Sequence, residues 1–178
     1  MAKKAEIKEP DLKGAIDYVL TYEELRDLFT TTDIDLEHLE EDNVPHASRA
    51  GIRYAYAGGV AEAVAATVKR LDPNRKIEVK VRRADSVPDC KAMIDSILKG
   101  NREGNFFEGM GCRGGCVGGP KALVPKEQGK LNVMAYSDES TYKTPAENPY
   151  VIELLKQLGF ETVEEFLTKS DLYDRKFD

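Results

Sequence analysis

The chain alternates short β-rich runs with stretches of helical period. Residues 16–20, Ile-Asp-Tyr-Val-Leu, read as a first strand. Thr21 follows as a helix N-cap, Glu24 three residues on completes a capping box, and Leu25, Leu28 and Phe29 continue the helix. Asp33 starts a shorter turn through Leu36 and Leu39, and residues 40–53 read as an acidic, then irregular, connecting loop. Val60, Val64 and Val68 recur at fourfold spacing, which predicts a helix over 60–71 ended by Asp72-Pro73-Asn74.

Ile77, Val79 and Val81 alternate with Glu78, Lys80 and Arg82, the pattern of a half-buried strand. Ser86 or Asp85 caps a helix that contains Cys90 and ends before Gly100, and residues 105–108 form an extended run. Residues 131–135 fit either a helix or a packed extended segment. Pro149 opens a helix through Val151, Leu154, Leu155 and Leu158 that Gly159 closes, and Thr162 with Glu165 starts a last short helix. Strands alternating with helices favour an α/β fold, a mostly parallel sheet flanked by helices, in one domain over residues 1–178.

Composition narrows the functional classes. Of 178 residues, 41% are hydrophobic and 33% charged, a balance that a folded, non-membrane domain shares. No apolar run approaches the roughly 20 residues of a membrane span. The net charge of -6 argues against a nucleic-acid partner held through a basic face. Free thiols with no signal-peptide pattern before them point to a reducing, cytoplasmic setting.

The densest chemistry lies in residues 106–123, FFEGMGCRGGCVGGPKAL, which hold six of the chain's 14 glycines and two of its 3 cysteines. So glycine-rich a loop loses much entropy on folding, and backbone that must approach something closely is the usual reason. Cys112 and Cys116, four positions apart, suggest a soft metal centre such as iron–sulfur. A disulfide would leave the third cysteine over, and zinc would need ligands beyond Cys112, Cys116, the distant Cys90 and two histidines, His38 and His46. A phosphate loop is disfavoured because Gly118-Gly119-Pro120-Lys121 carries no hydroxyl after its lysine. On spacing alone, metal ligation and a structural or redox thiol pair remain open together. Cys90, inside its helix, reads as a small packing residue.

Several motifs in order resemble the catalytic domain of [FeFe]-hydrogenases, the iron-only hydrogenase large subunit. Glu108-Gly-Met-Gly-Cys112-Arg-Gly-Gly-Cys116 is similar to that family's last cysteine motif, E-x-M-x-C-x-G-G-C. Ala57-Gly58-Gly59-Val60-Ala61-Glu62-Ala63 resembles its A-x-G-G-V-x-E-A. Residues 16–25 resemble V-D-Y-V-L-T-x-x-E-L, and Glu147-Asn148-Pro149 resembles a C-terminal E-N-P segment. Met1-Ala2-Lys3-Lys4-Ala5-Glu6 is similar to a P-C-x-A-K-K-x-E motif without its leading Pro-Cys.

The resemblance implies one lobe of the hydrogenase catalytic domain, its C-terminal part. It also implies an H-cluster, a [4Fe–4S] cubane joined to a two-iron subsite and held by four family cysteines. Two of these match Cys112, a cubane ligand, and Cys116, which bridges cubane and subsite. The other two belong to an upstream T-S-C-C-P-type motif and to the Pro-Cys. The parent would interconvert protons, electrons and hydrogen, and this chain alone is expected to be inactive and without an intact cluster. Lys3 matches the lysine beside a cyanide ligand, and Met110 a methionine packed at the two-iron subsite, the two positions expected to serve catalysis. Implied partners are the remainder of the catalytic domain and ferredoxin or another electron carrier. Glu6, Glu62 and Glu108 lie in matched motifs and read as surface carboxylates. Val117-Gly118-Gly119-Pro120 departs from the longer G-G-G-Q-P-like run of many catalytic members. That leaves an iron–sulfur scaffold, electron-transfer or sensory relative as the alternative.

Overall fold

The computed structural model describes residue 14, residues 16–40 and residues 46–171. Helix α1 (Tyr22–Thr31) begins at the expected capping box: Thr21 Oγ1 accepts the Glu24 N–H at 3.3 Å, and the Glu24 carboxylate accepts the Thr21 N–H at 2.7 Å. Asp33 does not open the next turn. It adopts a left-handed φ of 54° and helps close α1, with the Ile34 N–H bonded to Phe29 O at 2.9 Å. Asp35 caps the following turn instead, accepting the Glu37 N–H at 3.0 Å.

Residues 16–20 form no strand, and the side chains of Tyr18, Val19 and Leu20 are exposed. Their alternation needs a partner surface to become half-buried, and no ladder partner stands beside them among the described residues. The expected loop over 40–53 instead contains α2 (Arg49–Ile52), capped by Ser48 and followed by a 3-10 turn, Arg53–Ala55. One helical turn is too short to show periodicity. Helix α3 (Gly59–Leu71) matches the valine pattern.

Strand β1 (Val81–Asp85) starts four residues later than the alternation suggests, and Ile77 is exposed. Residues 78–80 are held by Asn105, whose side chain accepts the Lys80 N–H and donates to Glu78 O, so the ladder begins at Val81. Helix α4 (Val87–Leu98), capped by Ser86, carries the chain to β2 (Phe106–Met110). The two strands pair in parallel from Val81 opposite Phe106 to Asp85 opposite Met110. Helix α4 packs on both strands and α3 on β2, making a mixed α/β arrangement with a two-stranded sheet among the described residues.

Residues 131–135 resolve as helix within α5 (Lys126–Asp138). Helices α6 (Pro149–Gln157) and α7 (Val163–Lys169) begin at Asn148 and Thr162, and Phe160 meets Phe166 edge-on at 5.3 Å. Asn148 Nδ2 donates to His46 O at 2.7 Å and Ser140 Oγ to Ala47 O at 2.8 Å, while Arg53 binds both Ser137 and Asp138. These bonds fasten the entry of α2 to the end of α5 and the start of α6. Buried hydrophobics are mostly small, Ala50, Ala61, Ala63 and Ala84 beside Tyr56 and Leu155, while α1 buries none of its residues. No helix among the described residues is long and apolar enough to cross a membrane.

Candidate metal centre

Both strands end at one edge, and the cysteine loop leaves β2 there, where ligands of α/β sheets usually sit. Cys112 is half-buried, Cys116 is exposed, and both thiols are free. The Gly115 N–H bonds back to Cys112 O at 3.1 Å, and a 3-10 turn, Cys116–Gly118, follows. Gly115, with φ of 86°, lies against the backbone of Tyr56 and Ala57: a Cβ there would stand 2.5 Å from Ala57 N. Only glycine allows that approach.

The loop is fastened from several sides. Gly114 O accepts the Ala57 N–H at 2.9 Å, and the Gly114 N–H donates to Asp85 Oδ2 at 2.8 Å. The Arg113 guanidinium lies 3.8 Å from Asp89 on α4. The Tyr22 hydroxyl donates to Cys116 O at 3.4 Å, and Lys121 pairs with Glu23 at 3.2 Å, so α1 also leans on the loop. Gly129 of α5 faces Val117.

Glu108 corrects the surface-carboxylate expectation. It is only 6% exposed, and its two oxygens accept the Gly58 N–H at 2.6 Å and the Ala61 N–H at 2.8 Å. Gly58, the N-cap of α3, has no side chain to cap with. One carboxylate from β2 therefore engages the same two donors, at N-cap and N3, that a capping box satisfies. It also sets negative charge at the positive end of the helix. Glu62 remains partly exposed, accepting the Tyr56 hydroxyl at 3.1 Å and lying 3.7 Å from Arg83. Burial pushes the Tyr56 phenol above its ordinary 10.0, and the adjacent Glu62 carboxylate adds to the shift.

Met110, the last residue of β2, is half-buried beside the loop. Cys90 Sγ lies 3.4 Å from Met110 O and 3.7 Å from Ala84 O, where it packs against Gly109. Lys3 and Glu6 lie outside the described residues. His38 pairs with Asp35, and His46 meets Tyr150 at a tilt of 50°, ring centroids 4.2 Å apart. Among the described residues, no three His, Cys, Asp or Glu side chains group as a metal site. Cys112 and Cys116 thus stand as two free thiols on one glycine-rich loop, with no third such side chain grouped with them among the described residues. Asp85, Tyr22 and the clamp made by Glu108 escape sequence reading, because each acts on backbone atoms far away in the chain. Only the position of Glu108 inside the cysteine motif hinted at a role.

The fold and this site define an α/β protein that presents a thiol pair where parallel strands end. The model of the family described as iron only hydrogenase large subunit, C-terminal domain, matches residues 1–120 of the 178. The chain belongs to that family. The match spans residues 16–25, the Gly58-Gly59 turn and both loop cysteines, whereas Glu147-Asn148-Pro149 lies beyond it.

Proposed function

We propose that this chain forms one lobe of an iron-only hydrogenase catalytic domain, and that Cys112 and Cys116 supply two of the thiolates holding its H-cluster. The observation that carries this reading is the thiol pair in a backbone-clamped glycine loop at the strand ends, in a chain that belongs to the family. When bound, the cluster supplies reversible exchange of protons and electrons with hydrogen. Cys112 and Cys116 bind as deprotonated sulfur. Met110 offers an apolar wall beside the loop. Glu108 is assigned to holding the start of α3, since both its oxygens accept backbone N–H groups. Lys3 is assigned electrostatic contact with the two-iron subsite on the family motif alone.

Two features support a larger assembly around the chain. Among the described residues the parallel sheet has two strands, fewer than parallel sheets normally have. The apolar side chains of Tyr18, Val19, Leu20, Leu36, Leu123 and Val124 lie exposed near α1 and the exit of the cysteine loop. The remaining ligands and the cover for this face are then assigned to other parts of the catalytic domain, with an electron carrier such as ferredoxin as the redox partner.

The test is hydrogen evolution by the purified chain after expression with the hydrogenase maturation machinery. No evolution above background is expected from the chain alone, and restored turnover is expected when the rest of a catalytic domain is co-expressed. Turnover by the chain alone would show that the two thiolates and this lobe suffice, against the proposal.

A further inference from the structure

We propose that Asp85 is a positioning residue for the cysteine loop, an inference that rests on Cys112 and Cys116 being metal ligands. Gly114 stands midway between the two cysteines, and both polar atoms of its backbone are held from outside the loop. Its N–H donates to Asp85 Oδ2 at 2.8 Å, and its carbonyl accepts the Ala57 N–H at 2.9 Å. Gly114 and Gly115 are consecutive residues of left-handed φ, 83° and 86°. That pair folds the loop so that the Gly115 N–H returns to Cys112 O, setting the separation of the cysteines.

Asp85 is placed for this task by the sheet register. It is the last residue of β1, opposite Met110, the last residue of β2, so its side chain reaches from one strand end to the loop leaving the other. The neighbouring Arg113 reaches Asp89 on the first turn of α4, so the loop is gripped at two successive residues from the same side. The strand ladder is made by backbone, and the cap of α4 by Ser86. The Asp85 carboxylate is therefore dispensable to both. Two consequences follow for the site. A charge-assisted bond fixes the middle of the C-x3-C turn. The Gly114 hydrogen, committed to a carboxylate, is also withheld from sulfur, and hydrogen bonds to sulfur are one of the factors that set a cluster's potential.

The experiment compares wild type, Asp85→Ala and Asp85→Asn as purified full chains under reductant. In the metal-free proteins it reads amide exchange at Gly114 and the ratio of iodoacetamide alkylation at Cys116 to that at Cys112. After anaerobic reconstitution of each variant co-purified with the rest of a catalytic domain it reads iron per complex. Asp85→Ala is expected to exchange Gly114 about tenfold faster, the effect of losing one such bond. It should also level the alkylation ratio and lower iron uptake. Asp85→Asn, which keeps an acceptor oxygen, is expected to restore all three towards wild type, a rescue that general destabilisation would not give. Wild-type exchange and alkylation in Asp85→Ala would overturn the proposal, as would equal impairment of the two variants. If Asp85→Ala fails to fold, Asp85→Asn decides: protected Gly114 supports the assignment and free exchange overturns it. A wild-type complex that takes up no iron would count against the metal-ligand reading, while the exchange data would still decide the role of Asp85.

Discussion

Replacing Glu108 probes the joint between the cysteine loop and α3. The carboxylate is nearly enclosed and accepts two backbone N–H groups at 2.6 and 2.8 Å. Hydrogen bonds to a charged group contribute about 1.5–3 kcal/mol each, and a buried donor left without a partner costs about 1–3 kcal/mol. The charge at the helix N-terminus adds about 0.3–1 kcal/mol. These contributions overlap, so Glu108→Ala should lose about 3–5 kcal/mol, a large share of the roughly 5–15 kcal/mol that holds a typical domain. Glu108→Met keeps most of the volume but offers no acceptor, and it should lose nearly as much as alanine. Glu108→Gln keeps one acceptor and turns an amide N–H towards the other donor, so about 2–4 kcal/mol is expected to be lost. Urea unfolding followed by circular dichroism measures each value, with an unchanged m-value as the check that the denatured state is the same. A Glu108→Met chain as stable as wild type would refute the clamp and leave packing as the only role of this residue.

Other substitutions test neighbouring parts of the account. Gly115→Ala must seat a Cβ 2.5 Å from Ala57 N at a positive φ, so it should destabilise by about 2 kcal/mol or more and spread the loop, read as faster proteolysis there. Thr21→Ala removes half of the capping box on α1 and should cost about 1 kcal/mol by thermal melting. The phenol of Tyr56 titrates above its ordinary 10.0 in the folded chain, so its contribution is fully present below that pH and is lost as pH rises beyond it. Tyrosinate absorbance should show one tyrosine ionising after the others, and Tyr56→Phe should abolish that late step. The Glu24 carboxyl is held below its ordinary 4.5 by the Thr21 backbone N–H, then by the Thr21 hydroxyl. The cap on α1 is therefore intact above that pH and weakens as pH falls below it, which helix signal in a Glu24→Gln chain, already lacking the charge, should not follow.

What the sequence revealed depended on how local the signal was. Capping chemistry at Thr21, Ser86 and Thr162, proline at the start of α6 and the valine spacing of α3 all act within a few residues, and each helix formed where they stand. Strands were harder, because a strand exists only with a partner. Residues 16–20 alternate well yet stay exposed, and Ile77 falls outside a ladder that begins only where Phe106 can pair. The cysteine loop was visible as composition, and the family resemblance made it a candidate centre. Its fastening was not visible: Glu108 meets Gly58 and Ala61 some 50 positions earlier, and Asp85 meets Gly114 across the strand ends. No spacing rule in one sequence reports contacts of that range.

The central claim is that Cys112 and Cys116 hold iron together. Anaerobic reconstitution with iron and sulfide of the chain co-purified with the rest of a catalytic domain, which supplies the remaining ligands, followed by iron analysis and visible absorption, tests it most directly. The account predicts iron–sulfur absorption in wild type, loss of that absorption in both Cys112→Ser and Cys116→Ser, and no loss in Cys90→Ser. Binding that survives both serine substitutions, or a wild-type complex that stays iron-free, would contradict it.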